Sequence, residues 1–315
     1  MAASKKAVAL AYQAAALAAV AAALWFLISN TAANLEARRI ASGFSFLQRE
    51  AGFEIGESFF LRYRAGDTYL HALAVGLINT LTVAALGIGA ASVLGTLIGL
   101  ARLARNTLLR ALAAAYVEFL RNVPLLVQLF FWYVMITEAL PQPRLAHELL
   151  PGVFLTNRGL FFPLPGSVPH LSGFNFTGGA ALSPEFAALL IGLVTYTAAF
   201  IAEIVRAGVL AIERGQIDAA HALGLTPRQT TRVVVLPQAL RVIVPPLTSQ
   251  YLNLSKNSSL AVAIGFPDLV SIANTTINQT GQAIEGVAII MAVYLTVSLS
   301  ISALMNWYNA RIALR

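Results

Sequence analysis

Lys256 lies among Gln250, Asn253, Ser255, Asn257, Ser258 and Ser259, and the nearest acidic residue is Asp268, twelve positions further on. An uncompensated lysine at the centre of a bilayer costs about 2.5–3.5 kcal/mol on insertion scales, so it must snorkel, meet a partner on another helix or line a wet cavity. Its polar neighbours favour the cavity. Gln250, Asn253, Lys256, Asn257, Ser258 and Ser259 are therefore read as a candidate path for a polar solute, with a re-entrant end near the outer interface as the alternative. Pro245 and Pro246, just upstream, are expected to break helical regularity. Two further sets carry charge inside apolar stretches. Glu118 with Arg121, and Glu203 with Arg206, are each spaced three apart, which puts both members on one helical face within reach of mutual neutralisation. The plainer alternative is that these pairs brace helices or mark a membrane boundary.

A fourth set is conformational rather than ionic. Ile217 to Leu223 is compatible with a short helix, and Gly224 stands where a left-handed residue would end it. Thr226, Pro227 and Gln229 then supply an N-cap, a proline at the first helical position and a capping-box partner. The result is a compact helical knuckle with small residues Ala219, Ala220 and Ala222, suited to close docking into a partner's groove.

Other chemistries are missing from the sequence. The histidines His71, His147, His170 and His221 are scattered without metal-ligand spacing, and cysteine is absent. None of Lys5, Lys6 and Lys256 follows a glycine, so the chain carries no phosphate-binding loop of the Walker type. It is not read as an enzyme, and no cofactor is expected on it.

The elements that must hold these residues are membrane helices. Only 11% of residues are charged against about 25% in soluble domains, and mean hydropathy is +0.73. Residues 7–35, 68–101 and 286–310 contain no Asp, Glu, Lys or Arg, each longer than the ~20 residues needed to cross a bilayer. Apolar helices are expected near 7–29, 72–101, 111–139 (interrupted by Glu118, Arg121 and Pro124), 185–212, from 233 onward, and 284–308. That makes an all-α integral membrane protein of about six spans. The first resembles a signal peptide preceded by Lys5 and Lys6, but its run from Ala7 to Ile28 exceeds the ~7–15 residues of a signal core and is read as a retained helix. Residues 30–70 form a mixed-charge loop, and the Pro- and Gly-rich stretch 140–184 reads as an extended loop. The net charge of +7 is spread in short groups beside apolar spans rather than on one face, which argues against nucleic acid. With both termini inside, twelve Lys and Arg face the cytoplasm against seven outside, the latter including Arg38 and Arg39.

A family resemblance is carried by the knuckle. Asp218-Ala219-Ala220, Gly224 and Val234-Val235-Leu236-Pro237 match the spacing of the EAA loop of ABC importer permeases, with Asp in place of Glu and Val in place of Ile. Gly76–Leu81, Tyr116–Leu125, Tyr196–Gly208 and Lys256–Leu260 resemble the polar-amino-acid branch, and Asn157–Pro163 resembles its general L-amino-acid and glutamate/glutamine/aspartate members. The resemblance implies a type I importer permease core of five helices over 71–315, preceded by a helix and periplasmic loop over 1–70, with a periplasmic insertion at 140–184 and a cytoplasmic coupling loop at 213–233. It implies coupling to an ATP-binding cassette ATPase dimer through Asp218, Ala219, Ala220, Gly224, Leu225, Thr226 and Pro227, with ATP and Mg on that partner. It further implies a second permease chain, identical or paralogous, a periplasmic amino-acid-binding protein, and residence in a bacterial inner membrane. The rival is an ion-coupled secondary amino acid transporter. That class usually shows internal repeats, and none is visible here.

Overall fold

Thr68 starts the core: its hydroxyl accepts the backbone N–H of His71, and the uncharged run behind it continues as helix α2 (Tyr69–Ala101). Ser183 does the same for α5 (Pro184–Leu210), accepting from Phe186 N at 3.0 Å with Pro184 at the first helical position. These two helices form the central pair, and glycine lets them approach. A Cβ on Gly95 would lie 2.6 Å from Ile201 Cβ, and one on Gly99 would lie 2.8 Å from the carbonyl of Ala202. Gly95 and Gly99, four apart, are the small-residue spacing that membrane helices use for close packing.

The computed structural model describes residues 2–37 and 42–313; Arg38, Arg39 and Arg315, counted above for sidedness, lie outside the described residues. The other helices, in chain order, are α1 (Ala2–Ala37), α3 (Thr107–Asn122), α4 (Leu125–Ala139), α6 (Arg214–Ala222), α7 (Pro227–Thr230), α8 (Leu236–Asn257), α9 (Leu269–Thr280) and α10 (Ala283–Ala313). Among the described residues four helices are long and apolar enough to span, or up to six spans result if each of two bent pairs counts once, consistent with about six.

Several expectations need correction. The interruption foreseen at Pro124 within 111–139 is a full break, with two helices, α3 and α4, meeting at 105° around Val123-Pro124. Pro245 and Pro246 do not break α8, which runs through both. After a 3-10 stretch Ser258–Ile264 and the left-handed Gly265, the chain makes an additional short helix, α9, capped by Asp268. The first helix continues beyond 29 to Ala37. The stretch 140–184 is not simply a loop, since it carries strands β1 (Glu148–Leu150), β2 (Val153–Thr156), β3 (Gly159–Phe162), β4 (His170–Ser172), β5 (Asn175–Thr177) and β6 (Ala180–Leu182). They pair antiparallel in the order β1-β2-β3-β6, with β4-β5 as a separate hairpin. Phe176 from the hairpin stacks on Phe154 at 4.4 Å and meets Phe161 at 5.2 Å, giving the two sheets a shared apolar centre.

This insertion and residues 42–68 sit at the same end of the bundle. The Glu57 carboxylate accepts the Ser183 hydroxyl, Phe59 meets Phe186 at 4.9 Å, and Asn79 Nδ2 donates to the carbonyls of Glu57 and Pro267, both at 2.9 Å. Burial pushes the Glu57 carboxyl above the usual carboxylate range, opposed by the Ser183 hydrogen bond. Phe46 is fully buried against Tyr69, and Gly43 N donates to Glu285 at 2.6 Å, which ties the loop to the start of α10.

Candidate functional site

The knuckle occupies the opposite end of the bundle. Helix α6 ends in a complete Schellman motif: Gly224 has φ of +80°, its N–H reaches the His221 carbonyl at 2.9 Å, and Leu225 N reaches Ala220 O at 3.1 Å. Thr226 caps α7 with a two-way capping box through Gln229, and Pro227 takes the first helical position. The chain then makes a π-turn, Thr231–Val235, before α8. Gln216 of α6 hydrogen-bonds Gln238 of α8, closing the elbow. Asp218, Ala219, Ala222, Gly224, Thr226 and Pro227 are exposed and Leu225 half-buried, but Ala220 is only 4% exposed and packs inward, away from the exposed surface. Leu223, 83% exposed, is a large apolar side chain on the knuckle surface that the small-residue reading did not include.

Above the knuckle, the charges are arranged around one carboxylate. Glu203 on α5 pairs with Arg206 one turn along, and also with Arg102 at the end of α2. The Glu203–Arg206 spacing was legible, whereas Arg102 is a neighbour only in the folded chain. Glu118 and Arg121 do not pair. Both are exposed, and the Arg121 guanidinium lies 5.0 Å over the Phe200 ring instead. A planar cation over an aromatic face needs no carboxylate partner, which explains why the favourable spacing is not used.

The polar residues of α8 divide by helical position. Gln250, Asn253 and Asn257, spaced three and four apart, share one face, and Gln250 and Asn257 are half-buried. Lys256 is exposed and borders a cleft of about 550 Å³ with Ser259, Val270, Tyr294, Leu295 and Ser298. Ser258 is 1% exposed and its hydroxyl donates to the Ser255 carbonyl at 2.8 Å, so it is turned away from the other path residues. The Ser259 hydroxyl is likewise returned to the Lys256 carbonyl at 2.8 Å. Among the described residues no group of His, Asp and Glu is arranged to hold a metal ion.

With this geometry, residues 87–314 match the family described as binding-protein-dependent transport system inner membrane component. The chain belongs to that family. This permease is 44% identical to the general L-amino acid transport system permease protein AapQ of Rhizobium johnstonii, over 92% of this chain and 88% of that one. It is 36% identical to the glutamate/glutamine/aspartate/asparagine transport system permease protein BztB of Rhodobacter capsulatus, over 93% and 91%. Among solved structures it matches a chain of an amino acid ABC transporter crystallised with histidines, at 28% identity and a TM-score of 0.57, over 77% of this chain and 95% of that one. The fold of this permease is that of ABC importer permeases.

Proposed function

We propose that this permease is a pore subunit of an ATP-driven importer that carries polar L-amino acids from the periplasm to the cytoplasm of a bacterial cell. The observation that carries the reading is the doubly capped knuckle held at one end of the bundle, with Leu223 and the Asp218-Ala219 edge presented to solvent. A rigid, small-faced projection suits an ATPase groove; a simple linker has no need of two interlocked caps. The relatives named above support amino acids as cargo. In this reading Asp218, Ala219, Gly224, Leu225, Thr226 and Pro227 transmit ATPase movement, and Ala220 holds the knuckle's inner packing. An ATPase dimer carries ATP and Mg. A second permease chain, identical or paralogous, completes the pore, and a periplasmic binding protein delivers the amino acid. The test is co-purification: the wild-type chain should retain an ATPase subunit in mild detergent, and Leu223→Asp should lower that retention by about tenfold, the worth of ~1.4 kcal/mol at an apolar contact. Gradient-driven uptake without ATP, and no ATPase in the purified complex, would favour the ion-coupled alternative.

The Lys and Arg distribution supports a sidedness with the knuckle and both termini inside and the loops within 30–70 and 140–184 outside. Because the chain has no cysteine, Ser45→Cys and Ser167→Cys can be labelled singly, both positions being exposed. Both should react with a membrane-impermeant thiol reagent in intact cells. Reaction only after lysis would reverse the topology.

Gln250, Asn253, Lys256 and Asn257 form the proposed path. Lys256 forms no salt bridge among the described residues, and a positive or neutral lining favours neutral and acidic amino acids over cationic ones. Asn257→Asp should shift uptake ratios toward arginine on the order of fivefold, the effect of ~1 kcal/mol between charges in a wet site. Unchanged glutamate, glutamine and arginine ratios would remove position 257 from the path.

A further inference from the structure

Helix α3 has no place in the transport reading, and its geometry is unusual for a membrane segment. Its neighbour α4 runs alongside α5 in the opposite direction. Leu129 fills the space beside Gly192, and Tyr133 hydrogen-bonds Glu185 near the start of α5. Since α5 is a spanning helix and α3 meets α4 at 105°, α3 lies close to the membrane plane. Sixteen residues make it about 24 Å long.

Three faces run along it. Ala113, Tyr116 and Val117 are turned toward α5, where the Tyr116 hydroxyl donates to the Thr195 carbonyl at 2.8 Å. Leu108, Leu112, Ala115 and Phe119, at spacings of four, three and four, form an exposed apolar stripe; Leu108, Leu112 and Phe119 are 67%, 61% and 67% exposed. Arg110, Glu118 and Arg121 make the third, polar face, with Arg105 just before the Asn106 cap. Among the described residues no carboxylate forms a salt bridge with any of these arginines.

The vertical order of the faces can be read from α5. Tyr116 reaches Thr195, whereas Arg121 reaches Phe200, five residues nearer the knuckle end. The arginine face is therefore turned toward the knuckle-side surface, and the apolar stripe lies on the side facing the bilayer interior. This is the arrangement of a helix lying at a membrane interface, cations at headgroup level and apolar side chains in the acyl layer.

We propose that α3 is an in-plane helix that sinks Leu108, Leu112 and Phe119 into the acyl layer of the knuckle-side leaflet and holds the headgroups of anionic phospholipids with Arg110 and Arg121. The inference rests on the spanning fold and is independent of cargo and of the ATPase.

The test uses the full chain, purified in its native complex and placed in nanodiscs of phosphatidylcholine with rising phosphatidylglycerol content. Environment-sensitive fluorophores on Leu112→Cys and Phe119→Cys should be quenched by nitroxides on acyl chains and not by a water-soluble nitroxide. Shielding from both quenchers would mean that protein, a second permease chain included, covers the stripe, and quenching by the soluble reagent would put it in water; either result overturns the proposal. In parallel, phosphatidylglycerol binding followed by native mass spectrometry should weaken about 25-fold in Arg110→Gln/Arg121→Gln, at about fivefold for each cation removed from the surface. The corresponding lysine variant should keep most of the binding. Equal phosphatidylglycerol binding by the glutamine variant and wild type would overturn the headgroup assignment.

Discussion

Leucine in place of Gly95 is expected to disrupt the helix core, lowering the yield of folded, monodisperse protein in detergent by more than tenfold. A Cβ at this position already falls 2.6 Å from Ile201 Cβ and 2.9 Å from the Ala198 carbonyl, distances that real side chains do not adopt. Ile201 is buried, and the second obstacle is backbone, so neither can rotate aside. Overpacking of a close interior typically costs 1–3 kcal/mol and more where nothing can yield, which sets the expectation at ~3 kcal/mol or above. Gly89 provides the control. It lies on the same helix with open space around its Cβ position, so Gly89→Leu should leave the thermal midpoint nearly unchanged. A Gly95→Leu protein that melts with the wild type would mean that α2 and α5 do not pack as described.

The second large effect is expected from Gly224→Val, which should insert normally while ATPase retention and uptake each fall about tenfold. Nothing lies within 4 Å of the added Cβ, so the substitution creates no collision. The cost is conformational. At φ of +80°, a side chain costs on the order of 1–2 kcal/mol, and a β-branched one sits at the unfavourable end. Relief requires leaving the left-handed region, which breaks the hydrogen bonds from Gly224 N and Leu225 N and swings α7 away from α6. Gly224→Asn, which tolerates that region, should fall between valine and wild type. Normal uptake by the valine variant would make the knuckle a passive connection.

What was legible in the sequence was local. Gly224, Thr226, Pro227 and Gln229 act within one or two turns, so their spacing foretells a cap without knowledge of the rest of the chain. The uncharged runs likewise foretell spans, because burial in lipid is written residue by residue. Contacts across the fold were not accessible in that way. Arg102 reaches Glu203 across 101 positions, and Arg121 chooses Phe200 over the nearer Glu118. The strands at 148–182 are three or four residues long and interleaved with Gly and Pro, too short to show an alternating pattern. They are held by the Phe154, Phe161 and Phe176 cluster, which only tertiary structure assembles. Leu223 was overlooked because a leucine in a helical stretch reads as packing, and its exposure depends on where the elbow points.

The uninterrupted passage of α8 through Pro245 and Pro246 has a mechanical consequence. Neither proline can donate an N–H, so the carbonyls of Arg241 and Val242, one turn earlier, lose their usual rungs side by side. Two adjacent missing rungs make this a compliant point of a rod that begins at the knuckle and ends at Asn257. Below it, Gln216 and Gln238 couple α8 to the double-capped elbow; above it, Leu254 is buried against Gly87 of α2. The proline pair is therefore a point at which α8 can bend between its two anchored ends. The upper segment can thus change its tilt while its packing against α2 is kept.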